Sequence, residues 1–232
     1  MQRQMAHIHL EDGAFSPFWV IVWSLAAGGL VALALFLIGR RETSPRRLAI
    51  AAMCTSVGFA VFQVSIPVFG GIHLNLTPLI GILAGPGLGS LAALLINVFS
   101  AAVGHGGWGM IGANTIVNVI EVFVAYYVYR LVRVRLKSDR FTSGLGAAIA
   151  ALSVSALAIV AIVAVSGIQD SEQTKEEILA NMAIIAAVNV AVGVFEGIVT
   201  GYVVNFIGKV RPDLLREAEA VEGEEPATVA GA

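Results

Sequence analysis

Four histidines are the side chains of this sequence whose type and spacing best suit chemistry, and that chemistry is metal binding. His7 and His9 stand near the N-terminus, while His73 and His105 stand between long apolar stretches. A neutral imidazole nitrogen is a common protein ligand for nickel, cobalt, copper and zinc. When a histidine is second or third in a chain, the terminal amine, a backbone amide nitrogen and the imidazole can enclose one ion in a plane. Four nitrogens in a square suit Ni(II) and Cu(II) and can accommodate Co(II), and we expect His73 to supply the remaining ligand.

The start of the mature chain decides which histidine takes part in this chelate. If the chain starts at Met5, His7 is third from the amine, and if Met5 is removed, as the small Ala6 favours, His7 is second. In both cases His9 adds an imidazole. If the chain keeps Met1, the terminal amine is too remote and His9 binds without it. We favour the arrangement in which His7 is linked to the amine.

A glycine-rich loop, residues 104–109, carries His105. Glycines permit positive φ and a close backbone approach, so this loop can line a site or simply turn between two helices. We expect His105 to support the metal ligands from a second layer of contacts. Asn114 is expected to contribute to the same layer or to hydrogen-bond between helices.

The composition shows that membrane-spanning helices must position these residues. Of the 232 residues, 57% are hydrophobic and only 13% are charged, whereas a soluble domain has about 45–50% apolar and about 25% charged residues. The surplus apolar surface must face lipid, so we expect a multi-pass protein of the cell membrane. The net charge of −2 gives no reason to expect nucleic acid as a partner.

Hydropathy and charge together predict an all-α protein with about seven transmembrane helices. A span needs about 20 apolar residues, and the stretches that qualify are 18–38, 48–69, 110–129, 144–166 and 178–207. The stretch 76–103 is too long for one span, and a hairpin turning at Gly85-Pro86-Gly87 brings three basic clusters to one face. Since cytoplasmic loops collect Lys and Arg, we predict an external N-terminus and a cytoplasmic C-terminus.

The chain reads as one membrane domain, residues 1–216, with an external metal-binding segment at 1–17. Residues 217–232 are acidic and rich in small residues, which predicts a disordered cytoplasmic tail. No G-x-x-x-x-G-K-[ST] motif is present, and no nucleophile can be paired with a base. We therefore expect a chain that binds no ATP itself and is not an enzyme.

Four sequence blocks in order resemble the substrate-binding membrane component of cobalt and nickel energy-coupling-factor transporters, the CbiM/NikM family. The first block runs from His9 to Pro17, and the second is His73-Leu74 with Gly85-Pro86 downstream. The third is His105-Gly106-Gly107 followed by Gly112-Ala113-Asn114-Thr115, in the cobalt-type form. The last comprises residues 195–206 and Arg211-Pro212-Asp213-Leu214-Leu215. In the family the first histidine is residue two, whereas here eight residues precede His9.

The resemblance implies that Co(II) or Ni(II) is the transported substrate, with a preference for cobalt from the third block. It also implies three kinds of partner: a transmembrane coupling protein, a pair of cytoplasmic ATPases and a small accessory membrane subunit. The small-residue stripe 144–148 is expected to dock against such partners. The alternative is a proton-coupled secondary metal carrier in which Glu121 and Glu196, two carboxylates inside predicted spans, titrate.

Overall fold

A computed structural model of the protein describes residues 13–39, 44–66, 72–168 and 174–219. Within these ranges the architecture is a helical bundle, which confirms the predicted all-α class. The long helices are α1 (Pro17–Gly39), α2 (Pro45–Phe62), α3 (Thr77–Ala102), α4 (Ile111–Arg130), α5 (Arg140–Ser166) and α6 (Lys175–Val210). Between α2 and α3 lie two antiparallel strands of two residues each, β1 (Ser65–Ile66) and β2 (Ile72–His73). Single turns of helix lie at Trp108–Met110, Leu131–Arg135, Pro212–Leu215 and Arg216–Glu219, the last being α7.

Helix α3 is broken at the predicted turn. Gly85 has φ 76° and ψ 173°, and Pro86 follows it. A Cβ built on Gly89 would lie 3.6 Å from the Cα of Gly81, although residues eight apart in a straight helix are about 12 Å apart. The chain therefore doubles back at Gly85. The first arm of this hairpin, residues 77–84, is about 12 Å long and too short for a bilayer core of about 30 Å, so the described residues do not confirm seven complete spans.

In the part of the chain that the structure describes, five helical segments are long and apolar enough to cross a membrane, and α2 is not among them. They are Pro17–Phe36, Thr77–Ala102, Trp108–Arg135, Arg140–Ser166 and Glu176–Val210. The predicted span 48–69 is wrong at its end, because α2 stops at Phe62 and Ser65 pairs instead with His73. Pro67 explains part of the difference, since a proline disfavours the helical conformation of the residue before it.

One end of the bundle, which we call the histidine end, gathers Trp23, Phe62, His73, His105 and Ser166. The indole Nε1 of Trp23 donates a hydrogen bond to Ser166 Oγ at 2.8 Å, joining the start of α1 to the end of α5. The rings of His73 and His105 are in edge-to-face contact, which joins β2 to the loop after α3.

The opposite end, which we call the arginine end, gathers Arg46, Arg133, Arg140, Asp213 and Glu219. Arg46 pairs with Asp213, and the Glu219 carboxylate accepts hydrogen bonds from Arg133 and Arg140 at 2.8–3.1 Å. This separation of histidines from arginines is what an external N-terminus and a cytoplasmic C-terminus require, although the orientation itself stays a prediction. Helix α7 ends at Glu219, and the rest of the predicted tail lies outside the described residues.

Most of the small-residue stripe 144–148 packs inside the protein, whereas a Cβ on Gly146 would meet no atom within 4 Å. Docking of partners on this stripe stays a prediction. A Cβ on Gly144 would lie 3.0 Å from the Cα of Gly201 on α6, and the side chains of Ala147 and Ala148 are fully buried. Small residues let helix backbones approach closely within a membrane. Here they serve the contact between α5 and its neighbours within the same chain.

Candidate metal site

The two described histidines form the centre of the candidate site. Their ring centroids are 4.6 Å apart, with the ring planes at 78°. Phe62, the last residue of α2, packs against both rings, with centroids 5.9 Å from His73 and 4.9 Å from His105. Three separate elements, namely the end of α2, strand β2 and the loop after α3, therefore bring two imidazoles together.

Local backbone structure explains why each histidine lies there. Pairing of Ser65 with His73 and of Ile66 with Ile72 turns the chain back towards the end of α2. The loop after α3 turns tightly, since the backbone N–H of His105 donates to the Ser100 carbonyl at 2.8 Å. Its glycines at 104, 106 and 107 have φ of 82°, 89° and 70°, values that glycine adopts at little cost.

A pocket beside His105 contains the second predicted supporting residue, Asn114. The pocket is lined by Phe62, Asn97, Ser100, His105, Gly106, Gly107, Ile111 and Asn114. Gln63 closes one side by donating from Nε2 to Ser100 Oγ at 3.1 Å. The structure therefore brings His105 and Asn114 to the same pocket. His73 lies next to this pocket, where its ring contacts the ring of His105.

The environment of His105 favours its neutral form. Burial, together with repulsion from His73, lowers the pKa of the His105 imidazole from its ordinary value. A neutral imidazole is the form that binds a metal ion, because a protonated ring nitrogen has no lone pair to donate. The His105 imidazole therefore carries no charge at neutral pH that would repel a cation.

The predicted ligands His7 and His9 lie outside the described residues, but the chain leading from them reaches the same end of the bundle. Phe15 is only 3% exposed and belongs to one buried cluster with Met110 and Ala113, at the start of α4. His9 is four residues before Gly13, the first described residue, and four extended residues reach at most about 14 Å. Within the described ranges, no group of three His, Cys, Asp or Glu side chains is arranged to hold a metal ion.

Sequence reasoning missed Asn75, which is 8% exposed and lies at the centre of a buried polar network. Its side-chain Nδ2 donates to Glu121 Oε2 at 2.7 Å, and its backbone N–H donates to Glu196 Oε2 at 3.3 Å. Both carboxylates are almost fully buried, at 3% and 1% exposure. The only signal in the sequence was the position of Asn75, two residues after His73.

The described residues therefore form a bundle of helices long enough to span a membrane, with two histidines in contact at one end. A family model described as the cobalt uptake substrate-specific transmembrane region, CbiM, matches residues 9–214. The chain belongs to this family, which confirms the resemblance found in four sequence blocks. It is a membrane component of transition-metal uptake, located in the cell membrane.

Relatives of this chain are named for cobalt or nickel transport. A Methanocorpusculum labreanum protein named for cobalt transport, CbiM 1, is 27% identical, and the alignment covers 94% of this chain and 96% of the relative. The cobalt transport protein CbiM of Geobacter sulfurreducens is 28% identical over 94% of this chain and 64% of its own length. An Archaeoglobus fulgidus protein named for nickel transport, a fused NikMN, is 27% identical over 92% of this chain and 70% of its own.

Two crystal structures share the fold. A truncated transition-metal transporter superposes with a TM-score of 0.74 at 23% identity, covering 87% of this chain and 99% of that structure. A second transition-metal transporter has the same TM-score at 21% identity, covering 91% and 98%.

Proposed function

We propose that this chain is the substrate-binding membrane component of an ATP-driven energy-coupling-factor transporter that takes up Co(II) or Ni(II). The observation that supports it most directly is the contact of His73 with His105, at 4.6 Å between ring centroids, at the end of the bundle where the N-terminal segment enters. The names of relatives cover both metals, and the cobalt-type block at His105 favours cobalt.

In this proposal the N-terminal nitrogens and His73 bind the ion. His7 contributes an imidazole next to the terminal amine, His9 adds a second imidazole, and His73 approaches from strand β2. His105 and Asn114 support these ligands from the adjacent pocket. A planar set of nitrogens suits Ni(II) and can accommodate Co(II).

The energy for uptake comes, in this proposal, from other subunits. The chain has no phosphate-binding loop motif, so a pair of cytoplasmic ATPases would hydrolyse ATP. A separate transmembrane coupling protein would transmit the resulting motion to the bundle, and a small accessory membrane subunit would complete the assembly.

Purified protein titrated with Ni(II) and Co(II), with intact mass measured at each step, tests the proposal. We expect one bound ion per chain, with the chain starting at Met5 or Ala6, and loss of that ion in His73→Ala. Tyr202→Phe, at a 64% exposed residue of α6 that contacts Phe141, is the matched control and should bind normally. Equal binding by His73→Ala and Tyr202→Phe would remove His73 from the site.

A second candidate, the proton-coupled carrier, is favoured by one observation: Glu121 and Glu196 are both buried and share Asn75 as a hydrogen-bond partner. It predicts that Glu196→Gln abolishes uptake while metal affinity survives, and that uptake needs no ATPase. Uptake by vesicles that contain this chain alone, driven by a pH gradient, would support the carrier over the ATP-driven transporter.

A further inference from the structure

We infer that Asn75 is a positioning residue of the metal site, held by Glu121 and Glu196 so that His73 keeps one fixed place. This inference rests on the proposed function, in which His73 is a ligand. Asn75 follows His73 by two residues and lies in the segment that joins β2 to α3. Whatever holds Asn75 therefore limits how far the His73 imidazole can move.

Both polar atoms of the Asn75 side-chain amide have hydrogen-bond partners. Its Nδ2 donates to Glu121 Oε2 at 2.7 Å and to Asn118 Oδ1 at 3.3 Å, both on α4. Its Oδ1 accepts from the Thr77 hydroxyl at 2.6 Å. A buried amide whose donors and acceptor all have partners is held in one arrangement. These hydrogen bonds hold the segment that carries His73 against α4.

The backbone of the same segment is held by α6. The N–H of Asn75 donates to Glu196 Oε2 at 3.3 Å, and the same carboxyl interacts with the N–H of Leu76. Leu76 has φ 52° and ψ 6°, a left-handed conformation that costs a non-glycine residue free energy and persists only where surrounding structure enforces it. Two successive N–H groups in such a turn form a concave site for an anionic oxygen. Glu196 fills that site and stabilises the turn.

The network also reaches the pocket beside His105. Asn118 donates from Nδ2 to Asn97 Oδ1 at 3.5 Å, and Asn97 donates to Thr115 Oγ1 at 3.2 Å. Asn97 lines the pocket together with His105. The network therefore extends from the segment that carries His73 to the wall of the pocket beside His105. Partners of this kind around metal ligands alter metal affinity by about 10- to 100-fold when they are lost.

Two loss variants and one control test the inference. Asn75→Ala removes the side-chain bonds to α4, and we expect Ni(II) binding to weaken by about 10- to 100-fold. Thr77→Val keeps the shape but removes the donor to Asn75 Oδ1, and we expect a loss of roughly three- to tenfold. Thr55→Val makes the same change at a buried threonine of α2 whose hydroxyl donates within its own helix, to Ala51, and should bind normally.

The carboxylates are tested by pairs of substitutions. Glu121→Gln and Glu196→Gln keep an oxygen that accepts the same N–H, so they should bind Ni(II) within threefold of wild type. Glu121→Leu and Glu196→Leu remove the acceptor and should bind as weakly as Asn75→Ala. The Ni(II) d–d absorption band should change in the Leu variants and in Asn75→Ala but not in the Gln variants, a difference that a loss of folded protein would not produce.

The outcomes separate the inference from the proposed function. Wild-type affinity and spectrum in both Asn75→Ala and Thr77→Val would overturn the inference, and Thr77→Val decides alone if Asn75→Ala does not fold. Equal loss in Glu196→Gln and Glu196→Leu would overturn it in favour of a titrating carboxylate. If His73→Ala binds like wild type, the proposed site itself fails. If His73→Ala loses the ion while Asn75→Ala keeps it, only the positioning role fails.

Discussion

Gly112 of α4 packs directly against the backbone of α1, and replacing it with alanine tests how the N-terminal segment is positioned. A Cβ on Gly112 would lie 2.5 Å from Ser24 N, 2.6 Å from Ser24 Cα and 2.7 Å from the carbonyl carbon of Trp23. These are backbone atoms of α1, so no side chain can rotate away. Gly112→Ala must therefore push the two helices apart.

The size of the effect follows from these distances. Ordinary carbon contacts lie at about 3.5–4.0 Å, so the helix backbones must separate by about 1 Å. Overpacking of this kind costs about 1–3 kcal/mol, which for a chain of this length corresponds to a melting temperature lower by roughly 2–12 °C. Because α1 follows directly on the segment that supplies ligands in the proposed site, the same movement should disturb that site. We expect weaker Ni(II) binding as well as lower stability.

Thermal unfolding in detergent and a Ni(II) titration, both on purified protein, measure the two effects. Gly29→Ala on α1 is the matched control, because a Cβ there meets no heavy atom within 4 Å. That substitution should be neutral or stabilising by about 0.5–1 kcal/mol, since alanine is the better helix former. The reasoning is refuted if Gly112→Ala melts and binds like Gly29→Ala.

Two further predictions concern pH. Burial and repulsion from His73 lower the pKa of His105, so the unfolded chain binds more protons than the folded one as the pH falls below about 6.5. In thermal melts, metal-free protein should therefore lose stability between pH 7 and 5.5. The His105→Gln variant should lose less stability over the same range. Burial alone would raise the pKa of Glu219, but hydrogen bonds from Arg140, Arg133 and Tyr129 outweigh it and hold that pKa below its ordinary value. The stabilisation by Glu219 is therefore present above about pH 4.3 and is lost as the pH falls through the lower folded pKa. Glu219→Gln should cost about 1 kcal/mol at pH 7, after allowance for solvent screening, and progressively less as the pH falls and Glu219 of the wild type is protonated. A cost that does not change with pH would contradict this.

Most helices could be predicted because each depends on its own sequence. The starts and ends of α1 and α4 fall within one residue of the predicted spans 18–38 and 110–129. The hairpin turn also had a local signal, since glycine and proline at 85 and 86 interrupt a helix wherever it is placed. The end of α2 had a weaker local signal in Pro67, because the predicted span runs on to Phe69. The helix instead stops at Phe62, and the chain pairs with a later strand from Ser65.

The site was only partly predictable for the same physical reason. The sequence identifies His73 and His105 as metal-binding residue types, and the expected topology brings both to one face of the membrane. Their contact at 4.6 Å depends on the pairing of β1 with β2 and on the packing of Phe62, which no local pattern encodes. Asn75 is the extreme case, because its partners Glu121 and Glu196 are 46 and 121 residues away along the chain.

That separation of 121 residues sets an order of events during synthesis. At about 5–20 residues per second, Glu196 leaves the ribosome roughly 6–24 s after Asn75. During that interval His73 is already part of the nascent chain, yet the segment that carries it has no anchor on α6. We expect the segment that carries His73 to reach its final position only when the last long helix inserts and Glu196 binds the backbone N–H of Asn75.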